Sequence, residues 1–273
     1  MTNQEAILPL VDRIPPLDKG GTFTAPPWAE AIEIFDAVLK DDGVSAVIDL
    51  LKPVDDGQDY KARYVLHAMA QYLGRPGKEA ARARFSTALA SSLSSEKPAS
   101  IRGYLARQLQ VIGGREAVPA LGKALADSDI FEDAAQALLA IREGAAEEFR
   151  KALPALTGPA RLTALQALGT LKDVEAIDAF RQAAAEPETR LVATWALANT
   201  GDAGSVDLVL KAADVEPGYD RIKGTSACLL LAERLLAAGK KADAVRIYKH
   251  LEATRTDPSE AYVRELAVEG LAR

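Results

Sequence analysis

Apolar positions along this chain fall three and four residues apart, and the clusters they form return at a nearly constant interval. Four segments align: Leu105-Ala106-Arg107-Gln108-Leu109, Ala134-Ala135-Gln136-Ala137-Leu138, Ala164-Leu165-Gln166-Ala167-Leu168 and Ala193-Thr194-Trp195-Ala196-Leu197. Their final leucines stand 29, 30 and 29 residues apart. Three residues on come Ile112, Ile141, Leu171 and Thr200, which completes the i, i+3, i+4 face of a buried helix. Seven residues before each leucine stand Arg102, Phe131, Arg161 and Arg190, near the first turn. A fixed period of this kind is the signature of a repeat architecture, in which each unit covers the apolar face of the next.

A second helix is predicted in every unit, after a short turn such as Gly113-Gly114, Lys172-Asp173 or Gly201-Asp202. Its apolar rows are Val118, Ala146, Ile177 and Val206, then Leu121, Phe149, Phe180 and Val209, then Leu125, Leu153, Ala184 and Ala213. These rows define one helical face. Pro98, Pro159 and Pro187 punctuate the joints, where a missing N–H does no harm.

Upstream, Pro27 to Leu39 and Val44 to Leu51 read as a helix pair turned at Asp41-Asp42-Gly43, with Thr24 as an N-cap. Another pair runs from about Ala62 to Leu73 and from about Lys78 to Leu93. Downstream, Leu229 to Leu236 leads through Gly239-Lys240-Lys241 to Ala242–Tyr248, a longer pair. Asp257-Pro258-Ser259-Glu260 then opens a last helix whose Leu266, Ala267 and Leu271 resemble the first helix of another unit. The expected organisation is an N-terminal extension over 1–24 with a short helix near Ile7 to Ile14, a repeat array over 25–217, and a hairpin plus final helix over 218–273, continuous with the array. A solenoid needs its last apolar face covered, so the unpaired final helix points to a cap, a self-association contact or a chain cut from something longer.

Composition agrees with closely packed helices. Apolar residues make up 48% and aromatics 5% of the 273 residues, and no stretch shows the period-2 alternation of a half-buried strand. The 33 basic against 39 acidic side chains leave a net charge of −6, which offers no general attraction for nucleic acid or anionic membranes. The lone Cys228 lies in the run Ala227–Leu231 and reads as a small buried hydrophobe. No apolar run reaches the length of a membrane span and no signal peptide opens the chain. The default expectation is therefore a soluble, cytoplasmic protein, unless the chain is a mature or excised fragment.

These residues carry a resemblance. Ile101-Arg102, Leu105-Ala106, Leu109, Ile112-Gly113, Ala117-Val118-Pro119-Ala120-Leu121, Leu125 and Asp127, with weaker copies to about Ala213, make the chain similar to bacterial HEAT-like repeat proteins of the short type first associated with phycobilin lyases. The segment 229–251 resembles a tetratricopeptide hairpin, with Gly239, Ala242, Ala244 and Tyr248 in matching positions and no Trp in its first helix. The resemblance implies an all-α, right-handed superhelical solenoid of stacked antiparallel helix pairs ending in that hairpin, and a binding or scaffolding role.

Residues for chemistry are sparse. His67 and His250 stand far apart, and the His-Glu dipeptides of di-iron HEAT-repeat hydroxylases are absent from the sequence. Gly122-Lys123 fails as a phosphate loop, because Ala117 and Ala124 occupy the places of the first glycine and the Ser or Thr. The cluster Asp55-Asp56-Gly57-Gln58-Asp59 lacks EF-hand ligand spacing and reads as a solvated loop. Trp28 and Trp195 read as packing residues. No enzyme activity, cofactor or metal is expected.

In such arrays second helices line the concave surface, so their polar positions are the candidate contacts: Glu147, Arg150, Lys151, Asp178, Arg181 and Lys211. The expected function is a non-enzymatic scaffold that holds a protein or peptide partner, with self-association through the C-terminal helix as a further contact. Phycobilin-lyase-like chromophore handling and nucleic-acid binding in a HEAT-like groove are the alternatives. Against these stands the reading of ordinary solvated faces, whose charges pair along their own helices.

Overall fold

The computed structural model describes residues 3–53, 58–94 and 96–273. Among the described residues every regular element is helical, as the periodicity predicts. The chain forms two compact units, Met1–Ala155 and Leu156–Arg273, a division that falls inside the stretch read as one array.

The first unit contains α1 (Asn3–Asp12), α2 (Trp28–Val38), α3 (Gly43–Ile48), α4 (Tyr60–Leu73), α5 (Glu79–Ser91), α6 (Ala99–Ile112), α7 (Val118–Ala124), α8 (Phe131–Ile141) and α9 (Ala145–Ala152). First helices pack on first helices, α4 on α6 and α6 on α8, while second helices pack on second helices, α5 on α7 and α7 on α9. The N-terminal helix α1 packs on α3 and α4. Ile7 and Val11, with Ile14 just beyond, are buried there.

The second unit contains α10 (Gly158–Leu171), α11 (Ile177–Ala183), α12 (Arg190–Thr200), α13 (Val206–Ala213), α14 (Tyr219–Ala237), α15 (Lys241–Thr254) and α16 (Ala261–Leu271). Here α10 packs on α12, α12 on α14, α14 on α15 and α15 on α16. Two glycines permit this closeness. A Cβ at Gly169 would stand 2.7 Å from both Ala196 Cβ and the Trp195 ring, and one at Gly224 would stand 2.6 Å from the Ala212 carbonyl oxygen.

Leu109, Leu138, Leu168 and Leu197 are all fully buried, each at the same place in its first helix. Burying a leucine side chain contributes about 1.5–3 kcal/mol, so these anchors are a main source of cohesion. Three residues on, Ile112 is buried while Ile141, Leu171 and Thr200 are half-buried. Of the second-helix rows, Leu121, Phe149, Phe180 and Val209 are completely buried.

The first of those rows needs correction in two repeats. Ala146 and Ile177 are half-buried, and their predecessors Ala145 and Ala176 face inward instead. The 3-10 turn Val174–Ala176 leads into α11 as Arg115–Ala117 and Ala203–Ser205 lead into α7 and α13, and in all three the last residue of the turn is buried. Before α9 there is no such turn, and Gly144, with a φ of 75°, starts the helix directly. Thr24 is likewise not a cap: α2 begins at Trp28 behind an extended Pro27, because a residue before proline is kept out of the helical region. On α16 the inward residues are Val263, Ala267 and Gly270, and Leu266 is exposed. A Cβ at Gly270 would meet the Tyr248 ring at 2.3 Å, so close packing on α15 selects that face. Of the acidic cluster near residue 55, Asp55, Asp56 and Gly57 lie outside the described residues. Asp59 accepts hydrogen bonds from the Lys52 amide at 2.9 Å and from Arg63 Nε at 2.8 Å, which makes it a turn residue.

The arginines at the start of the first helices clamp their repeats. Arg102 pairs with Asp127, Arg161 meets Glu186 through both guanidinium nitrogens at 2.5 and 2.8 Å, and Arg190 reaches Asp220 at 2.5 Å. Partly exposed pairs of this kind orient the helices more than they stabilise them.

Candidate partner-binding surface

The six candidate contact residues fall three on each unit. In the first, Glu147, Arg150 and Lys151 lie on α9, with acidic side chains in its first turn and basic ones in its last, the order that suits the helix dipole. Lys151 Nζ stands 2.8 Å from Glu147 and 3.0 Å from Glu148. The hydrogen bond from Lys151 holds the Glu147 carboxyl below its ordinary range. Arg150 is half-buried.

The second helices of this unit also frame clefts. One of about 530 Å3, between α5 and α7, is lined by Thr87, Ser91, Glu116, Lys123 and the Arg102–Asp127 pair. A neighbour of about 470 Å3 shares Thr87 and Ser91 and adds Asp41, Asp42 and Arg84.

In the second unit Asp178 and Arg181 lie on α11 and Lys211 on α13. Arg181 is a structural pin: it pairs with Asp178 at 3.2 Å and Asp202 at 2.8 Å, and its Nε donates to Ser205 Oγ at 3.0 Å. It thus holds the turn that leads into α13. Lys211 borders a cleft of about 680 Å3 together with Arg190, Asp207, Leu208 and Asp214. Asp207 is paired with Arg246.

The structure brings Glu147 to Lys151 and Asp178 to Arg181 as pairs along single helices. Exposed pairs of this kind add little to stability. Each remains accessible to a partner, with Arg181 the most committed to its own chain.

Two features escape the sequence reading. The first is a polar cluster around Arg255, whose side chain is completely buried. Its Nε donates to Thr225 Oγ1 at 3.1 Å, one Nη to Asp214 at 3.2 Å and the other to the Ala213 carbonyl at 2.9 Å. His250 meets Asp214 at 2.9 Å, and Arg221 grips Glu260 at 2.7 and 2.9 Å. Burial by itself raises Asp214, but the hydrogen bonds and charges of His250 and Arg255 outweigh it and hold the carboxyl below its usual range. A signal existed: Arg255 continues the buried stripe Ala244, Tyr248 and Leu251 of α15 by one more helical step. The second feature is a cleft of about 490 Å3 between α12 and α14, around Trp195 and Tyr219.

The remaining candidates have structural places. His67 is exposed and lies between Gln108 at 3.0 Å and Gln71 at 3.1 Å. Cys228 is completely buried, and burial pushes its thiol up to about 12. Trp28 packs at an edge against Phe35 and Tyr72. Among the described residues no helix is long and apolar enough to cross a membrane, and no group of three or more His, Cys, Asp or Glu is arranged to hold a metal ion.

The PBS lyase HEAT-like repeat model matches residues 101–127 and 160–186, which are the helix pairs α6–α7 and α10–α11. The search of curated proteins found no match. Among solved structures, the complex of CpcE and CpcF of phycocyanin lyase from Nostoc sp. PCC7120 is similar at 21% identity over 84% of this chain and 94% of that one, with a TM-score of 0.42. Human deoxyhypusine hydroxylase in complex with glycerol aligns at 17% identity over 100% and 96%, with a TM-score of 0.32. An engineered protein aligns at 21% identity over 85% and 96%, also at 0.32. The stacked helix pairs α6–α7 and α10–α11 are thus HEAT-like repeats of the PBS lyase type.

Proposed function

We propose that the chain is a binding module that holds a protein partner against the exposed sides of its second helices. One observation carries this reading: within a single unit, successive second helices leave charged clefts of about 470 and 530 Å3 side by side. An elongated partner can touch several such clefts at once. In the first unit Glu147, Arg150 and Lys151 supply further contacts; in the second, Asp178 and Lys211 do so, with Arg181 holding the frame. Each contact is modest, and charges at such a rim act more on association rate and salt response than on affinity.

The test begins with affinity capture and identification of the partner. Association is then followed by stopped flow at two salt concentrations for the wild type, for Arg150→Glu with Lys151→Glu, and for Lys211→Glu. Slower association with a changed salt response is expected. Unchanged rates in folded variants would move the interface off the second helices.

A second and more specific reading, chromophore handling of the phycobilin-lyase type, is favoured over a bare scaffold by the repeat model itself. Catalysis enters only with this reading. It predicts that stoichiometric protein shifts the absorbance spectrum of an open-chain tetrapyrrole. A spectrum unchanged by excess protein, with and without a candidate acceptor, would remove it.

A further inference from the structure

On the second unit, the face built by the first helices carries a partly apolar stripe that the packing leaves open to solvent. Along α14, Tyr219, Lys223, Ser226 and Leu230 follow one another at helical spacing on one wall of the 490 Å3 cleft, and Leu191, Val192 and Trp195 of α12 form the other. Tyr219 is 67% exposed, and Ile222, one residue away from the stripe, is 56% exposed. Leu191, Val192, Trp195 and Leu230 are half-buried. Large apolar side chains left contiguous at a surface mark an interaction site.

The shape and the charge select the occupant. From Tyr219 to Leu230 the stripe runs about 16 Å along the helix, which suits two to three turns of a partner helix laid in the groove. Among the described residues lining the cleft, Lys223 alone is charged. Its ammonium stands 5.4 Å from the centre of the Tyr219 ring, and no described carboxylate lies within ion-pair distance of it. In a chain of net charge −6, a single cation set into an apolar stripe is a poor lure for a bilayer or a nucleic acid, which call for many. One cation beside apolar walls matches one carboxylate beside apolar side chains.

We infer that this groove is a second docking site, separate from the second-helix surface, for an amphipathic helical segment of a partner protein that packs Leu- or Phe-type side chains against Trp195, Leu191 and Leu230 and sets a carboxylate on Lys223. Trp and Tyr are the residue types that dominate such contacts, and the charge fixes the register of the segment.

Trp195 provides the readout. The chain has two tryptophans, so Trp28→Phe leaves Trp195 as the sole indole. A displayed library of random peptides, long enough for three helical turns, is selected on this variant and counter-selected on the same variant carrying Tyr219→Ala and Lys223→Glu. Both altered side chains are exposed, and circular dichroism confirms that the counter-selection protein is folded. The enriched peptides are expected to place Asp or Glu beside apolar residues at i, i+3 and i+4. A synthetic member is expected to shift Trp195 emission saturably, to bind Lys223→Glu about tenfold more weakly, and to recover affinity there when its own acidic residue is changed to Lys. Enrichment with no acidic-apolar pattern, equal enrichment on both proteins, or bound peptides that leave Trp195 emission unchanged would each overturn the inference. So would phosphatidylglycerol vesicles or single-stranded DNA that shift Trp195 where the peptides do not.

Discussion

Leu168 and Arg255 lie in the same unit and both are completely buried, yet they hold it together by opposite means. Leu168 sits among apolar neighbours on α10 and needs only to be kept from water. Arg255 sits at the end of α15 and is tolerable there because Thr225, Asp214 and the Ala213 carbonyl take up its donors, with Thr254 Oγ1 at 2.8 Å and Glu260 at 3.7 Å beside them. The repeats are therefore interchangeable layers. The stretch from α13 to α16 is fastened by one specific network. An apolar anchor contributes in proportion to what it buries, whereas a buried charge depends on every partner being present.

The sharpest way to break this comparison is Arg255→Met, which leaves the buried Thr225 hydroxyl and Ala213 carbonyl without their guanidinium partner and is expected to cost about 2–6 kcal/mol, at about 1–3 for each group, in urea unfolding followed by Trp195 emission in the Trp28→Phe background. A cost below about 1 kcal/mol would reduce the cluster to a surface network. Leu168→Ala, followed in the same way, and Leu109→Ala, followed by far-ultraviolet circular dichroism, come next, at about 2–5 kcal/mol each, from lost burial and the cavity left behind. If the two leucines differ by more than this span, the layers are not equivalent. Gly224→Ala tests the helix contact beneath the network: the new methyl meets backbone atoms of α13 at 2.6–2.7 Å, which cannot swing aside, and about 1–3 kcal/mol of destabilisation follows.

Acid sharpens the contrast further. Asp214 and Glu260 are held below the ordinary carboxylate range, Glu260 mainly through its hydrogen bonds with Arg221. A depressed carboxyl stabilises the fold fully above its unfolded value, and that contribution fades as pH falls from about 4 towards the lower folded value. Stability followed by Trp195 is thus expected to drop through that window, with a shallower drop in Asp214→Asn. Identical slopes for the two proteins would place the acid response elsewhere. The smallest effect belongs to Lys123→Ala, an exposed site at a cleft rim, where less than about 0.5 kcal/mol is expected. A loss comparable to that of Leu109→Ala would mean that the inner and outer faces of the first unit are misassigned.

By itself the sequence determined the all-α fold, the positions of the four leucine anchors and the row from Leu121 to Val209, because a buried helical face must repeat its apolar residues at the helical period whatever lies against it. Exact register was not legible at the start of α9 and α11, since a small rotation at a helix entry leaves the hydrophobic count unaltered. The candidate surface was legible as a set of charges but not as a set of roles. Glu147, Lys151 and Lys211 stay accessible, while Arg181 is drawn into the turn at Asp202 and Ser205, a contact set by a neighbouring repeat and not by its own. Tertiary structure alone decided the partners that make Arg255 tolerable on the buried stripe of α15, and the groove at Trp195. Both depend on which side chains meet from α12 to α16, and a polar residue's value in such a place comes from partners that no periodicity reveals.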